Sequence, residues 1–131
     1  MRRSNELPAI TLGAGDFSRL DQLASAAEYK LPEVAAFLGQ ELERAQVVPP
    51  REVGSDVVTM GSRVVFEDDS GETHDVTLVY PEEADMGKNR LSVLTPVGAA
   101  LIGLKVGQSI RWRTRTDAER TLKVLTVTQP A

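Results

Sequence analysis

Two adjacent prolines, Pro49 and Pro50, divide this 131-residue chain into a stretch with a helical hydrophobic period and a stretch with a strand period. Each proline removes a backbone donor and disfavours helix in the residue before it, so no regular element should run through this point. The expected units are residues 1–50 and residues 51–131. Before the prolines, Ile10 and Leu12 alternate in an extended segment that Gly13 and Gly15 interrupt. Asp16 is placed to cap a helix over 16–27, where Phe17, Leu20, Leu23, Ala24 and Ala27 form an apolar stripe. Pro32 suits a first helical position, and a second helix is predicted over 32–46. Its stripe is Val34, Phe37, Leu38, Leu42 and Ala45, with Glu33, Gln40, Glu41 and Glu43 toward solvent. The short link Glu28-Tyr29-Lys30-Leu31 then becomes the tip of an antiparallel helical hairpin. At 1.5 Å per residue each arm spans about 20 Å.

Beyond the prolines the period is two. Val58, Met60, Arg63 and Val65, with Val64 and Phe66, predict a strand interrupted at Gly61-Ser62. Residues 67–71 read as a polar turn, Thr73 to Tyr80 as the returning strand, residues 81–87 as a loop, and Arg90 to Leu94 as a third strand. Thr95 is placed to cap a short helix that Pro96 starts and Gly103 ends, with Val97, Ala100 and Leu101 on its buried side. A turn at residues 106–108 leads to a strand in which Ile110, Trp112 and Thr114 face one way and Ser109, Arg111, Arg113 and Arg115 the other. Residues 116–120 close a hairpin onto a last strand carrying Leu122, Val124, Leu125 and Val127. The fold class is α+β: a short helical hairpin followed by an antiparallel sheet with one short helix laid across it.

The chain has 41% hydrophobic and 26% charged residues, enough for an ordinary core. No apolar run approaches the roughly 20 residues of a membrane span, and Arg2 and Arg3 lead into polar residues, so a cytoplasmic protein without membrane contact is expected. There is no cysteine, and His74 is the sole histidine. Thiol nucleophiles and zinc–cysteine sites are thereby excluded. His74 has no partner at metal-ligand spacing in the sequence and reads as a surface side chain; no metal, cofactor or catalytic residue is expected. The net charge of −4 lacks the basic footprint of a nucleic-acid binder.

The run from Pro81 to Trp112 resembles the C-terminal domain of the Gre transcript cleavage factors. Glu83-Ala84-Asp85, Leu91-Ser92, Thr95-Pro96, Ala100-Leu101, Gly103 and Val106-Gly107 follow that family's pattern in order and spacing. Residues 40–46 and 56–64 extend the likeness to the Rnk family, Gre-like regulators with a shortened arm. The resemblance implies an FKBP-like C-terminal fold and docking on bacterial RNA polymerase at the rim of its secondary channel. It places Leu94, Thr95, Pro96, Val97 and Gly98 in the docking surface. Thr95 and Pro96 also have a purely structural reading as helix start signals, and both roles can hold together. An exposed Leu94 would favour apolar docking; burial would remove that idea.

Gre factors carry an acidic pair at the tip of a long coiled coil, where hard Mg²⁺ takes oxygen ligands. Ala27-Glu28-Tyr29 resembles their tip motif, and in that register the acidic positions fall on Gln22 and Ser25. With no carboxylate there, and arms about half the length the channel demands, cleavage stimulation is not expected. Glu28 and Glu33 are the acids a cleavage hypothesis would use; a solvated helix end is the plainer reading. Tyr29 is the contact residue of the tip, with Lys30 and Leu31 beside it. Arg111, Arg113 and Arg115 form a basic stripe that would steer the chain to an acidic partner, or else a solvated strand face paired with Glu119 or the acids at 67–69. Glu82, Glu83 and Asp85 read as loop-solvating, and Trp112 as core. The favoured function is a monomeric, non-catalytic polymerase binder competing with Gre-type factors. The alternatives are a cleavage factor, or a peptidyl-prolyl isomerase whose pocket would draw on Phe66, Tyr80 and Trp112.

Overall fold

The structure is a computed structural model that describes residues 7–113 and 118–130. Strand β1 (Thr11–Gly13) leads directly into α1 (Ala14–Ala27), followed by α2 (Pro32–Arg44) and β2 (Gln46–Val48). The remaining elements are β3 (Arg63–Asp68), β4 (Thr73–Val79), β5 (Arg90–Ser92), α3 (Pro96–Leu101), β6 (Ser109–Arg113) and β7 (Glu119–Thr128). The chain is thus α+β, with a five-stranded sheet in the order β5-β4-β3-β7-β6 and a two-stranded sheet β1-β2. Within the larger sheet β4 and β5 run parallel and the other neighbours antiparallel, so the sheet is mostly rather than wholly antiparallel.

The helical hairpin forms as its stripes require. Leu20, Ala24 and Ala27 are the buried face of α1. Its start differs from expectation: Gly13 precedes the helix without a side-chain cap, and Asp16 lies inside the first turn. The Asp16 carboxylate accepts instead from the Met60 N–H at 3.2 Å, tying the helix start to the second half of the chain. Helix α2 stops at Arg44 rather than 46 because Gln46–Val48 extends and pairs parallel with Thr11–Gly13. Ladder hydrogen bonds, beginning with Gln46 N–H to Ile10 C=O at 2.9 Å, replace the last helical ones. Its buried face is Ala35, Leu38, Glu41 and Leu42, so Glu41, expected in solvent, is a core residue.

The expected strand from Val58 begins only at Arg63. Ser62 Oγ accepts from the Thr59 N–H at 2.9 Å, and Gly61 has φ +88°, so the chain turns where a ladder would otherwise continue. Between β3 and β7 the register shifts at Val65/Phe66: Val65 faces Thr126 and Phe66 faces Val124, leaving Leu125 as the extra residue of a bulge. The third expected strand ends at Ser92, before Leu94. The hairpin between β6 and β7 falls partly outside the described residues.

One apolar cluster spans both halves of the chain. Ile10, Leu12, Leu20, Leu38 and Leu42 join Val58, Val64, Leu78, Leu101, Ile102 and Leu104 in it. At the seam sits Gly103, with φ +82°, where a Cβ would lie 2.9 Å from the Ile10 Cβ. Glycine therefore both ends α3 and lets β1 approach closely enough for Thr11 N–H to reach the Gly103 carbonyl at 3.2 Å.

Candidate functional site

The segment around α3 is built by local hydrogen bonds. Thr95 Oγ1 accepts from the Gly98 N–H at 3.0 Å and donates to the Ser92 carbonyl at 2.7 Å, while Leu94 N–H donates to Ser92 Oγ at 3.0 Å. Pro96 occupies the first helical position, where its missing N–H costs nothing. This leaves Pro96 exposed, Thr95 half-buried, and Leu94 and Val97 half-buried against the core cluster. Leu94 is therefore a packing residue with one face at the surface rather than a projecting apolar anchor. Gly98 is fully beneath the surface, so of the five residues predicted to dock it is the one that cannot present contact area. Helix α2 packs on α3, so the base of the hairpin and the Thr95–Val97 surface belong to one body.

At the tip, Tyr29 is 94% exposed, and Glu28, Lys30 and Leu31 beside it are exposed as well. Their backbone is ordered by the Leu31 N–H to Ala27 C=O bond at 2.8 Å and the Ala35 N–H to Leu31 C=O bond at 2.9 Å. At 94% exposure the Tyr29 ring has little packing role within the chain. Gln22 and Ser25 are exposed on α1.

Among the described residues, three contacts, made by the side chains of Phe37, Arg19 and Asp16, join the hairpin to the second half of the chain. Phe37 of α2 stacks on Trp112 of β6 at 6.3 Å between centroids, which leaves Trp112 half-buried rather than fully in the core. The Arg19 guanidinium lies 3.8 Å over the Tyr80 ring and pairs with Glu82 at 3.2 Å. The Asp16–Met60 bond is the third. Burial, followed by the negative charge of Asp16, pushes the Tyr80 phenol up to about 12. Glu82 therefore does more than solvate its loop, and Asp85 accepts from the Gly87 N–H at 3.0 Å to shape the turn ahead of β5.

On the edge strand β6, Arg111 is exposed and lies 3.7 Å from Glu119, the pairing expected of a solvated strand face. Arg120 similarly faces Asp69 at 3.7 Å. The side chain of Arg113 and the whole of Arg115 lie outside the described residues. The three aromatic residues considered for a proline pocket are each engaged elsewhere: Phe66 with His74, Tyr80 with Arg19, and Trp112 with Phe37.

His74 is where the sequence reading falls short. Its Nε2 lies 2.8 Å from Asp68 Oδ2 across the β3–β4 turn, with Glu72 beside them. A spacing search along one strand misses this set because the turn folds position 68 back against position 74. The available signal was the pairing of the two predicted strands around residues 67–71.

Residues 53–129 match the family described as transcription elongation factor GreA/GreB, C-terminal. Residues 8–48 match the family described as the Rnk N-terminus. The chain is 44% identical over 119 residues to the regulator of nucleoside diphosphate kinase of Escherichia coli K12, covering 90% of this chain and 88% of that one. It is 34% identical over 114 residues to the transcription elongation factor GreA of Thermodesulfovibrio yellowstonii, covering 80% and 72%. A solved GreA/GreB elongation factor from Nitrosomonas europaea superposes with a TM-score of 0.71 at 37% identity, over 92% of this chain and 98% of that one. Fold and sequence together define a transcription-associated protein of the GreA/GreB class. Within that class the hairpin half is decisive, and the chain belongs to the Rnk family, the regulators of nucleoside diphosphate kinase.

Proposed function

We propose that this chain is a non-catalytic regulator that docks on bacterial RNA polymerase beside the secondary channel and competes there with Gre-type factors without stimulating transcript cleavage. The observation that carries this reading is the length of the hairpin: 14 residues in α1 and 13 in α2, or about 20 Å per arm. Such an arm covers a channel entrance but does not reach a metal deep within it. The positions corresponding to an acidic tip pair, Gln22 and Ser25, have no carboxylate to offer Mg²⁺. Pro96, with the partly exposed faces of Leu94, Thr95 and Val97, supplies the rim contact, and Tyr29 with Leu31 the contact at the tip.

The body on which the arm sits takes the FKBP-like fold that the family resemblance implies, in a monomeric, cytoplasmic protein. An isomerase reading finds no support in the aromatic residues, whose three ring contacts are with three different partners. Competition follows from mass action: two ligands for one surface lower each other's apparent affinity. The test is capture of RNA polymerase by the wild type and by Pro96→Asp, with a Gre factor titrated in. The variant captures at least about tenfold less polymerase, as expected for a charge placed in the centre of an apolar contact, and the Gre factor displaces the wild type. Unchanged capture by Pro96→Asp moves the docking surface elsewhere; cleavage of backtracked transcripts by the wild type ends the non-catalytic reading.

A further inference from the structure

His74, Asp68 and Glu72 each offer a ligand atom, and the three atoms lie within 4.8 Å of one another. We propose that they form a site for a borderline divalent transition-metal ion of the zinc type. Glu72, the residue before β4, and His74 within it are two residues apart, and the turn brings Asp68 opposite Glu72, whose carbonyl accepts from the Asp68 N–H at 2.9 Å. Two of the three ligands are held in place before any ion arrives. The His74 ring stacks on Phe66, with centroids 5.0 Å apart and planes 22° apart. Asp68 Oδ1 accepts from the Ser70 N–H, the Ser70 hydroxyl and the Glu72 N–H, which turns Oδ2 toward the imidazole. Gly71, with φ +87°, permits the turn that makes this possible.

The Glu72 carboxylate makes no hydrogen bond or ion pair among the described residues, so an ion meets no competing cation there. One imidazole nitrogen with two carboxylate oxygens is the donor set of zinc, cobalt or nickel. Magnesium and calcium are hard cations that take oxygen ligands, so the imidazole nitrogen favours neither. Three protein ligands leave further positions on the ion for water or for a donor from a partner.

Because His74 is the sole histidine, its ring resonances report on this site alone. The full chain, without an affinity tag and stripped with chelator, is titrated with zinc chloride and separately with magnesium chloride while the His74 ring signals are followed by NMR. Zinc shifts them saturably and magnesium does not. Glu72→Gln, checked for an unchanged amide spectrum, weakens zinc binding at least about tenfold, comparable to the loss from disturbing a ligand's support. His74→Asn abolishes the calorimetric signal of zinc. The proposal is overturned if millimolar zinc leaves the His74 signals in place, or if zinc affinity is the same in wild type, Glu72→Gln and His74→Asn.

Discussion

A Cβ at Gly98 would stand 2.2 Å from the Ser92 carbonyl oxygen and 2.8 Å from the Val93 Cα. Both neighbours are backbone and neither can swing aside, so Gly98→Ala destabilises the fold by about 3 kcal/mol, the upper part of the range for overpacking. Gly39 is the opposite case: it lies within α2 with nothing within 4 Å of an added Cβ. Gly39→Ala stabilises by about 1 kcal/mol through helix propensity alone. Urea unfolding of both variants checks the pair, and equal effects would mean that the contact at Gly98 relaxes freely. Tyr80 adds a pH dependence. Its phenol titrates near 12 in the folded chain and near 10 when unfolded. The unfolded state loses its proton first, so the contribution is present below about pH 10 and disappears as pH rises toward 12. Unfolding midpoints measured along that alkaline range decline in the wild type, and Tyr80→Phe lacks this component of the decline.

Among the elements, α2 shows most clearly how a sequence pattern misassigns a side chain. A glutamate at position 41 reads as solvent-facing because charged residues are almost never fully buried unless paired. Here the pair is local: Arg44 donates through Nη2 to Glu41 Oε1 at 2.6 Å and through Nε to Oε2 at 3.1 Å. A further Arg44 N–H reaches the Pro8 carbonyl, so the pair fastens the segment before β1 onto α2. Glu41 is 2% exposed, whereas the Arg44 side chain keeps 22% of its surface in water. Glu41→Ala leaves Arg44 partly solvated, so the cost is about 2 to 3 kcal/mol, below the 3 to 5 kcal/mol of a wholly buried broken pair. Denaturant melts report this value, and a loss under 0.5 kcal/mol, the level of a surface substitution, would show the pair to be neutral. The i, i+3 spacing of Glu41 and Arg44 was visible in the sequence; that the core closes over it was not.

For the molecule as a whole, the hairpin and sheet act as one body because the core cluster runs through both and the Phe37–Trp112, Arg19–Tyr80 and Asp16–Met60 contacts bridge them. These contacts hold the hairpin against the rest of the chain. Arm length and tip chemistry make separable demands on a cleavage factor, and restoring one does not supply the other. Under the proposed function, a Gln22→Asp/Ser25→Glu variant, which carries an acidic pair on an arm still about 20 Å long, is inactive in a cleavage assay on backtracked complexes. Cleavage by that variant would show that reach was never the obstacle.

Much of this was legible from local pattern. Helix stripes at Leu20, Ala24 and Leu38, the Thr95-Pro96 helix start and the alternation at Val76 and Leu78 are set by periods of 3.6 and 2 and by capping chemistry, all of which act over a few residues. The short arm was equally readable, because helix length follows from residue count. Long-range closure settled the rest. Burial of Glu41 and the parallel pairing of 11–13 with 46–48 each join segments whose local preferences are silent about one another. Such contacts form only where the apolar cluster brings distant stretches together, and that is a property of the packed chain rather than of any window along it.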